Sequence, residues 1–508
     1  MNTKNISRYS GSLVIILLLL TIFESCRKPG SPIGADLAKA TGNKVYKQLD
    51  IEILGGKLKF AISQRRKLMS NPRFTAKLYE DANYQPLLIA KFLPDSGLIN
   101  AAEKINASAE HGLSAENFQA ERIITLLEKV YSKDQVKTTE EAYAALVDLE
   151  LTASGAITDY ANAIQYGIVS PRKIFAQFYT KVERPDSNSF RKPYETSNLK
   201  TFLDSIQPQS ESYKTLQTAL AQNITAPGHS AEDTKRILAV NLERLRWQIG
   251  KMENKYVWVN IPAFTLQVYE QGKPILDMRV CVGEGRNKGS ITSLTEYDEK
   301  DLKKDRPFNR ETPQLYSKIH SVQVNPVWNI PVSIATNEIT KYAAQDRYYL
   351  NNKNIDVFYK GKKIEDPETI DWSKADAGKI YTFKQRPGAD NSLGKIKFLF
   401  DNQSSVYLHD TPAKDAFNLD VRAVSHGCVR VEKPLELARA LFGPGNKFKE
   451  INTGMQSKDP KAENISLPKQ VPVYLGYFTC WKDDSGKLLF FNDIYEQDAV
   501  LYTHLNKR

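Results

Sequence analysis

The 508-residue chain has only four cysteines, Cys26, Cys281, Cys428 and Cys480, and six histidines. No two cysteines form a CxxC pair and no HExxH occurs. Zinc-ligand spacing is therefore missing, and neither a metal nor an organic cofactor is expected. There is no block of Lys and Arg and no repeat of aromatic with basic residues, so no nucleic-acid partner is expected. The longest apolar run, Leu13 to Phe23 interrupted by Thr21, falls short of the roughly 20 residues that span a bilayer.

That run follows Lys4 and Arg8, the pattern of a secretory signal peptide. Ser25-Cys26 directly after it resembles a bacterial lipoprotein processing site, which makes Cys26 the lipidated new N-terminus, although Phe23 and Glu24 depart from the usual residues. Cleavage elsewhere or an uncleaved anchor are the alternatives, and all three export the protein. Beyond a leader over 1–26, some 480 residues remain, enough for two or three domains at ~150 residues each. A hydrophobic content of 41% and a charged content of 25% are ordinary for a globular protein. The net charge of +11 is dispersed and favours a polyanionic partner. Carboxylate-rich wall peptide and anionic lipid headgroups both qualify.

Residues 27–45, with Pro29, Gly30, Pro32 and Gly34, read as a tether. Residues 46–250 read as a helical domain. Apolar positions recur at three- and four-residue steps over Ala120 to Ser132, Thr138 to Tyr166 and Ala231 to Gln248. This half has no evident nucleophile paired with a base. His111 and His229, beside glycines, are expected to be exposed turn histidines. From 255 to 450 the texture is that of strands. Phe264, Leu266 and Val268 alternate with Thr265, Gln267 and Tyr269, and Gln271-Gly272-Lys273 marks a hairpin turn. A polar stretch at about 334–380 reads as a cap inserted in this β-domain, and residues 451–508 as an extension packed on it. Cys281, in the apolar run Met278 to Val282, either pairs with Cys480 or stays a buried thiol, as does Cys480.

The chemistry converges on Ser425-His426-Gly427-Cys428-Val429-Arg430. A strand through Val406-Tyr407-Leu408 delivers His409, nineteen residues before Cys428. A cysteine thiol needs a histidine within hydrogen-bond reach to become a nucleophile at neutral pH. His409 and His426 both compete for that role. His426 shares a strand face with the cysteine, whereas His409 arrives from another strand and meets the sulfur without local strain. Gly427 removes a Cβ from the approach path, and the amides of Gly427 and Cys428 are the expected oxyanion donors. Pro434 then opens a helix. A buried cysteine in a Ser-His-Gly turn is the competing reading.

His409 followed by Ser425-His426-Gly427-Cys428 resembles the signature of the L,D-transpeptidase family. Further segments are similar to its large, scaffold-bearing branch. They are Val259-Asn260-Ile261-Pro262, Asn325-Pro326-Val327-Trp328, Arg386-Pro387-Gly388 with Asn391, His409-Asp410-Thr411-Pro412, Asn241 to Trp247, His111-Gly112-Leu113 and Tyr166-Gly167. The resemblance implies an α+β chain, with a helical scaffold domain ahead of a mostly-β catalytic domain, a β-sandwich. It implies that Cys428 attacks the diamino-acid carbonyl of a peptidoglycan tetrapeptide and releases D-alanine. A second stem peptide's amine resolves the thioester into a 3→3 cross-link. His409 is the implied base, oriented by a backbone carbonyl or by Asp410. His426 shapes the site with Ser425, and Tyr407, Trp328 and Arg430 contact substrate. Core packing for Trp328 and Tyr407, and a surface ion pair for Arg430, are the bland counterparts. A periplasmic, membrane-anchored enzyme of a diderm bacterium follows, with cell-wall synthases as possible partners and carbapenems as acylating inhibitors. Hydrolysis, attachment of proteins to the wall, or non-catalytic wall binding are the alternative activities. One departure stands out: Tyr213 to Leu220 leads almost directly into Leu238 to Asn241, leaving no room for the wall-binding module many relatives insert.

Overall fold

A computed structural model describes residues 31–66, 69, 71–285, 310–374, 376–483 and 485–505. The leader and Cys26 lie outside the described residues. The chain is α+β, helical first and strand-rich after. It divides into two compact units, 1–109 with 114–163 and 185–207, and 110–113 with 164–184 and 208–508.

In the first unit the helical periodicity becomes helices Ile51–Arg65, Ala120–Tyr131 and most of Thr139–Tyr166. Asp50 caps the first by accepting from the amides of Glu52 and Ile53. Among the described residues the interior contains one fully buried carboxylate, Glu150. It accepts from the Tyr79 hydroxyl at 2.6 Å and from the amides of Leu87 at 2.7 Å and Ile89 at 2.8 Å. Those donors replace the water a buried charge has lost.

In the second unit the strands β1 (Lys255–Asn260), β2 (Thr265–Glu270), β3 (Lys273–Gly283) and β4 (Leu315–Val324) precede an insertion. The insertion contains β5 (Trp328–Ile330), β6 (Ile355–Tyr359), β7 (Lys362–Lys363) and β8 (Tyr381–Gln385). Then come β9 (Ile396–Phe400), β10 (Leu408–His409), β11 (Ala423–Ser425), β12 (Val429–Val431) and β13 (Glu463–Gly476). The main sheet runs β11-β3-β12-β10-β9-β4-β13-β1-β2, and β2 pairs back onto β3. The sheet therefore closes on itself around one apolar core drawn from every ring strand. The predicted alternation in β2 holds: Leu266 and Val268 face that core while Thr265 and Gln267 stay half-exposed.

Several boundaries differ from the sequence reading. Residues 451–508 are no appended extension, because β13 sits between β4 and β1 and completes the ring. The insertion is a small sheet, β5-β8-β6-β7, with its own core around Ile339, Leu350, Val357 and Phe383. It extends from Trp328 to Gln385 because these two residues pair across β5 and β8. Asn391 clasps its two legs, donating to the carbonyls of Pro326 at 3.0 Å and Arg386 at 2.9 Å. Helices Glu211–Ala221 and Ala231–Arg246, read as part of the helical domain, belong with the second unit and share a core cluster with Cys480 and Ala499. Cys281 and Cys480 are both buried free thiols.

His111 is not an exposed turn residue. It is buried, with Nδ1 2.9 Å from the Tyr213 hydroxyl. Arg246 donates to its carbonyl at 2.8 Å and to Tyr213, and pairs with Glu243 at 2.8 Å. Glu243 also accepts from the amide of Val169 and the indole of Trp247. A Cβ on Gly167, whose φ is +74°, would stand 2.6 Å from that carboxylate. The dispersed His111, Gly167 and Glu243-to-Trp247 motifs thus form one buried network. His229 is half-buried.

Candidate active site

The register across three strands builds the site. Leu408 pairs with Phe398 of β9 and Val429 of β12, and all three face the core. Their strand neighbours must face the other way. Lys397 and Arg430, each paired with His409, therefore form one row with it on the outer face. Tyr407 and Cys428 stand one step back on that face, with the Val429 amide donating to the Tyr407 carbonyl at 3.1 Å. Cys428 is thus the diagonal neighbour of His409, within reach of an aromatic side chain.

Tyr407 is the nearest polar neighbour of the Cys428 thiol to act on its ionisation. Burial pushes the thiol up to about 11, against Tyr407 and the charges of Arg430 and Lys397, which favour thiolate. Burial also raises the Tyr407 phenol well above its ordinary value. The Tyr407 ring packs edge-on to His409 at 5.7 Å, and Lys397 Nζ lies 5.4 Å from its centroid. Burial holds the Lys397 ammonium below its usual range.

His409 is buried, with Nδ1 2.6 Å from the backbone carbonyl of Asp410. A carbonyl only accepts, so Nδ1 carries the proton and the neutral ring leaves Nε2 free as an acceptor. Burial, then Arg430 and Lys397, push His409 down to about 4. The Asp410 carboxylate is otherwise engaged. It accepts from the Lys395 amide at 2.8 Å and from Lys414 Nζ at 2.6 Å. Of the two orienters the sequence left open, the backbone carbonyl meets the ring, while the Asp410 carboxylate holds a turn.

The cysteine turn joins β11 to β12 and precedes helix Pro434–Phe442. Ser425 Oγ donates to the Cys428 carbonyl at 2.5 Å and accepts from the Gly427 amide at 3.2 Å. Thr312 Oγ1 donates to the Gly427 carbonyl at 2.9 Å. Gly427 has φ +114°, a region that favours glycine. Its amide, expected in the oxyanion hole, is already spent on Ser425. The Cys428 amide meets no acceptor among the described residues.

His426 turns to the insertion instead. Its Nε2 lies 2.6 Å from Glu338 Oε1, which Arg310 also holds at 3.0 Å. Glu338 sits in a π-turn, Ala335–Ile339, inside the capping insertion. Trp328, expected to contact substrate, packs against the insertion's own core. Arg430 has no ion-pair partner among the described residues. Sequence reasoning overlooked Lys397 and Glu338. A lysine at an outward position of the strand beside His409 was the available signal for the first; Glu338 gave none. A groove of about 550 Å³ on β1–β3, lined by Trp258, Gln267, Tyr269 and Trp481, shares no residue with this row.

Residues 254–442 match the L,D-transpeptidase catalytic domain, and residues 73–220 match the Scaffold domain. A Haemophilus influenzae protein named "Putative L,D-transpeptidase" is 30% identical over 332 residues, covering 65% of this chain and 62% of that protein. The chain thus spans about three fifths of that relative's length.

Proposed function

We propose that this chain, whose residues 254–442 match the L,D-transpeptidase catalytic domain behind a match to the Scaffold domain at 73–220, cross-links peptidoglycan through Cys428. The observation that carries the reading is the Nδ1 contact of His409 with the Asp410 carbonyl, 2.6 Å, because it leaves Nε2 ready to take a proton on the thiol's side of the sheet. Cys428 gives its proton to Nε2 as Sγ attacks the carbonyl of the third stem residue, a diamino acid. The Cys428 amide donates to the developing oxyanion. Collapse breaks the peptide bond, and His409 returns the proton to the departing D-alanine amine. The side-chain amine of a second stem peptide then displaces sulfur from the thioester. Its proton goes to His409 and on to the thiolate, leaving a 3→3 amide.

His426 does not serve as base in this scheme, since Glu338 occupies its Nε2. It fixes the cysteine turn against the cap. Tyr407 steadies the thiol. Lipidation at Cys26, supported by the Ser25-Cys26 context, would tether the enzyme on the periplasmic side of a membrane beside cell-wall synthases. Incubation with tetrapeptide muropeptides tests the activity. Cross-linked dimers with released D-alanine are expected; tripeptides alone would assign hydrolysis instead.

A further inference from the structure

We propose that the side of the closed sheet opposite Cys428 carries a seat for an N-acetylated amino sugar, so that the enzyme grips the glycan strand of peptidoglycan as well as its stem peptides. This rests on the transpeptidase reading above and names a further part of the same substrate.

Sheet order sets the place. In the ring β3-β12-β10-β9-β4-β13-β1-β2, β1 stands four strands from β10 in either direction, across the core from His409. Trp258 on β1 points outward, since Val257 and Val259 on either side of it face the core. Its ring stacks on Trp481 of β14 (Cys480–Lys482), with centroids 5.8 Å apart and planes 24° from parallel. The two indoles line a cavity of about 350 Å³ together with Phe178, Arg244, Tyr474 and Phe478, all within the second unit. They also line the 550 Å³ groove on β1–β3. Both volumes lie in the range of small-molecule sites, about 300–1,000 Å³. Gln248 and Gly250, which also line the cavity, are exposed, so it opens to solvent.

Unpaired donors mark the cavity. Arg244 is 3% exposed, and its Nη1 lies 2.6 Å from Asp498 Oδ1, but its Nε and Nη2 have no hydrogen-bond partner among the described residues. The indole N–H of Trp258, a residue 8% exposed, has none either. His229 Nδ1, Thr336 Oγ1 and Arg422 Nε are also without partners, but none of those residues lines this cavity. Buried donors left unmatched are costly, and an acceptor entering the cavity removes that cost. Nε and Nη2 are the edge by which a guanidinium gives two parallel bonds. Charge decides the acceptor. Asp498 already balances the guanidinium, and the Asp493 carboxylate stands beside it, accepting from the Asp498 amide at 2.8 Å. A second anion would face both carboxylates, whereas a neutral carbonyl meets no such repulsion. An acetamido group offers that carbonyl. The C–H face of its pyranose ring carries the partial positive charge that aromatic faces attract.

The rival is that solvent alone fills the cavity. The full chain is titrated with chitotetraose, a β-1,4-linked chain of N-acetylglucosamine, and with cellotetraose, which has the same linkage and no acetamido groups. Tryptophan fluorescence and calorimetry follow binding. Chitotetraose should bind saturably, and cellotetraose more weakly by about 10- to 100-fold, the range of hydrogen bonds to a charged group. Trp258→Phe, which keeps a ring and removes the N–H, should weaken chitotetraose by about 3- to 10-fold. Trp481→Ala should weaken it too and lower kcat/KM on glycan-linked stem peptides, with turnover of a free tetrapeptide unchanged. No saturable binding of chitotetraose, or equal binding of the two sugars, would overturn the seat and needs no variant. Unchanged chitotetraose binding by a normally melting Trp481→Ala protein would place the sugar elsewhere and overturn it as well. Failure of the wild type to turn over a free tetrapeptide would sink the transpeptidase reading, while the sugar titration would still decide the seat.

Discussion

His409 Nδ1 and the carbonyl oxygen of Asp410 lie 2.6 Å apart, between neighbours in the chain. The contact is local, yet it fixes ring orientation and tautomer together, because the only hydrogen bond a carbonyl makes is as acceptor. Substituting the Asp410 side chain leaves that acceptor in place. Asp410→Asn is expected to weaken the turn held by Lys395 and Lys414, while acylation falls by less than about tenfold. Stopped-flow acylation together with thermal melting checks both halves.

Cys428→Ala should abolish turnover and covalent acylation by a carbapenem while leaving the melting transition near wild type. Intact-protein mass spectrometry reads the adduct. An adduct persisting in this variant would remove Cys428 as the nucleophile.

The two histidines should separate. His409→Ala is expected to slow acylation by about 100-fold or more, the size of a general-base contribution. His426→Ala should cost less, since its ring serves the Glu338 contact. The reverse order would exchange their roles.

The pH dependence follows from the depressed His409. Its folded value is about 4 against 6.5 for the free group, so below 6.5 the unfolded chain takes the proton first. Folding stability should therefore fall as pH drops from about 6.5 to about 4, by on the order of 3 kcal/mol from this group. His409→Gln should remove that limb in urea titrations at stepped pH. Acylation should likewise show no histidine-controlled limb between pH 5 and 8, because the ring is already neutral there.

Gly427→Ala is expected to destabilise the cysteine turn by about 1–3 kcal/mol through its φ of +114° alone. The nearest atom to an added Cβ is the Glu311 carbonyl oxygen, at 3.4 Å. Activity should fall more than melting temperature, since the distortion sits beside Cys428. A truncation ending near 450 tests the ring: without β13, β4 and β1 lose their shared partner. Circular dichroism and melting should show no cooperative catalytic unit.

Much of this was legible in one dimension. Helices Ala120–Tyr131 and Thr139–Tyr166 announced themselves by apolar period, and β2 by alternation, because each buries one face of a regular element. The Ser425-to-Arg430 motif and His409 were legible as chemistry, because thiol, imidazole and glycine each bring a function that few other side chains supply. Where partners are far apart in sequence, legibility ended. That β13 completes the ring, that His111 lies buried against Tyr213 and Arg246, and that Glu338 holds His426 across 88 residues are facts of packing. So is the row Lys397–His409–Arg430. A strand's own sequence says which residues alternate, but only pairing with its neighbours says which of them stand side by side and on which face. The sequence by itself determined the family resemblance and the cysteine. Tertiary structure decided the tautomer of His409, the occupant of the Gly427 amide and the two cations beside the thiol, because each depends on which groups the closed sheet brings together.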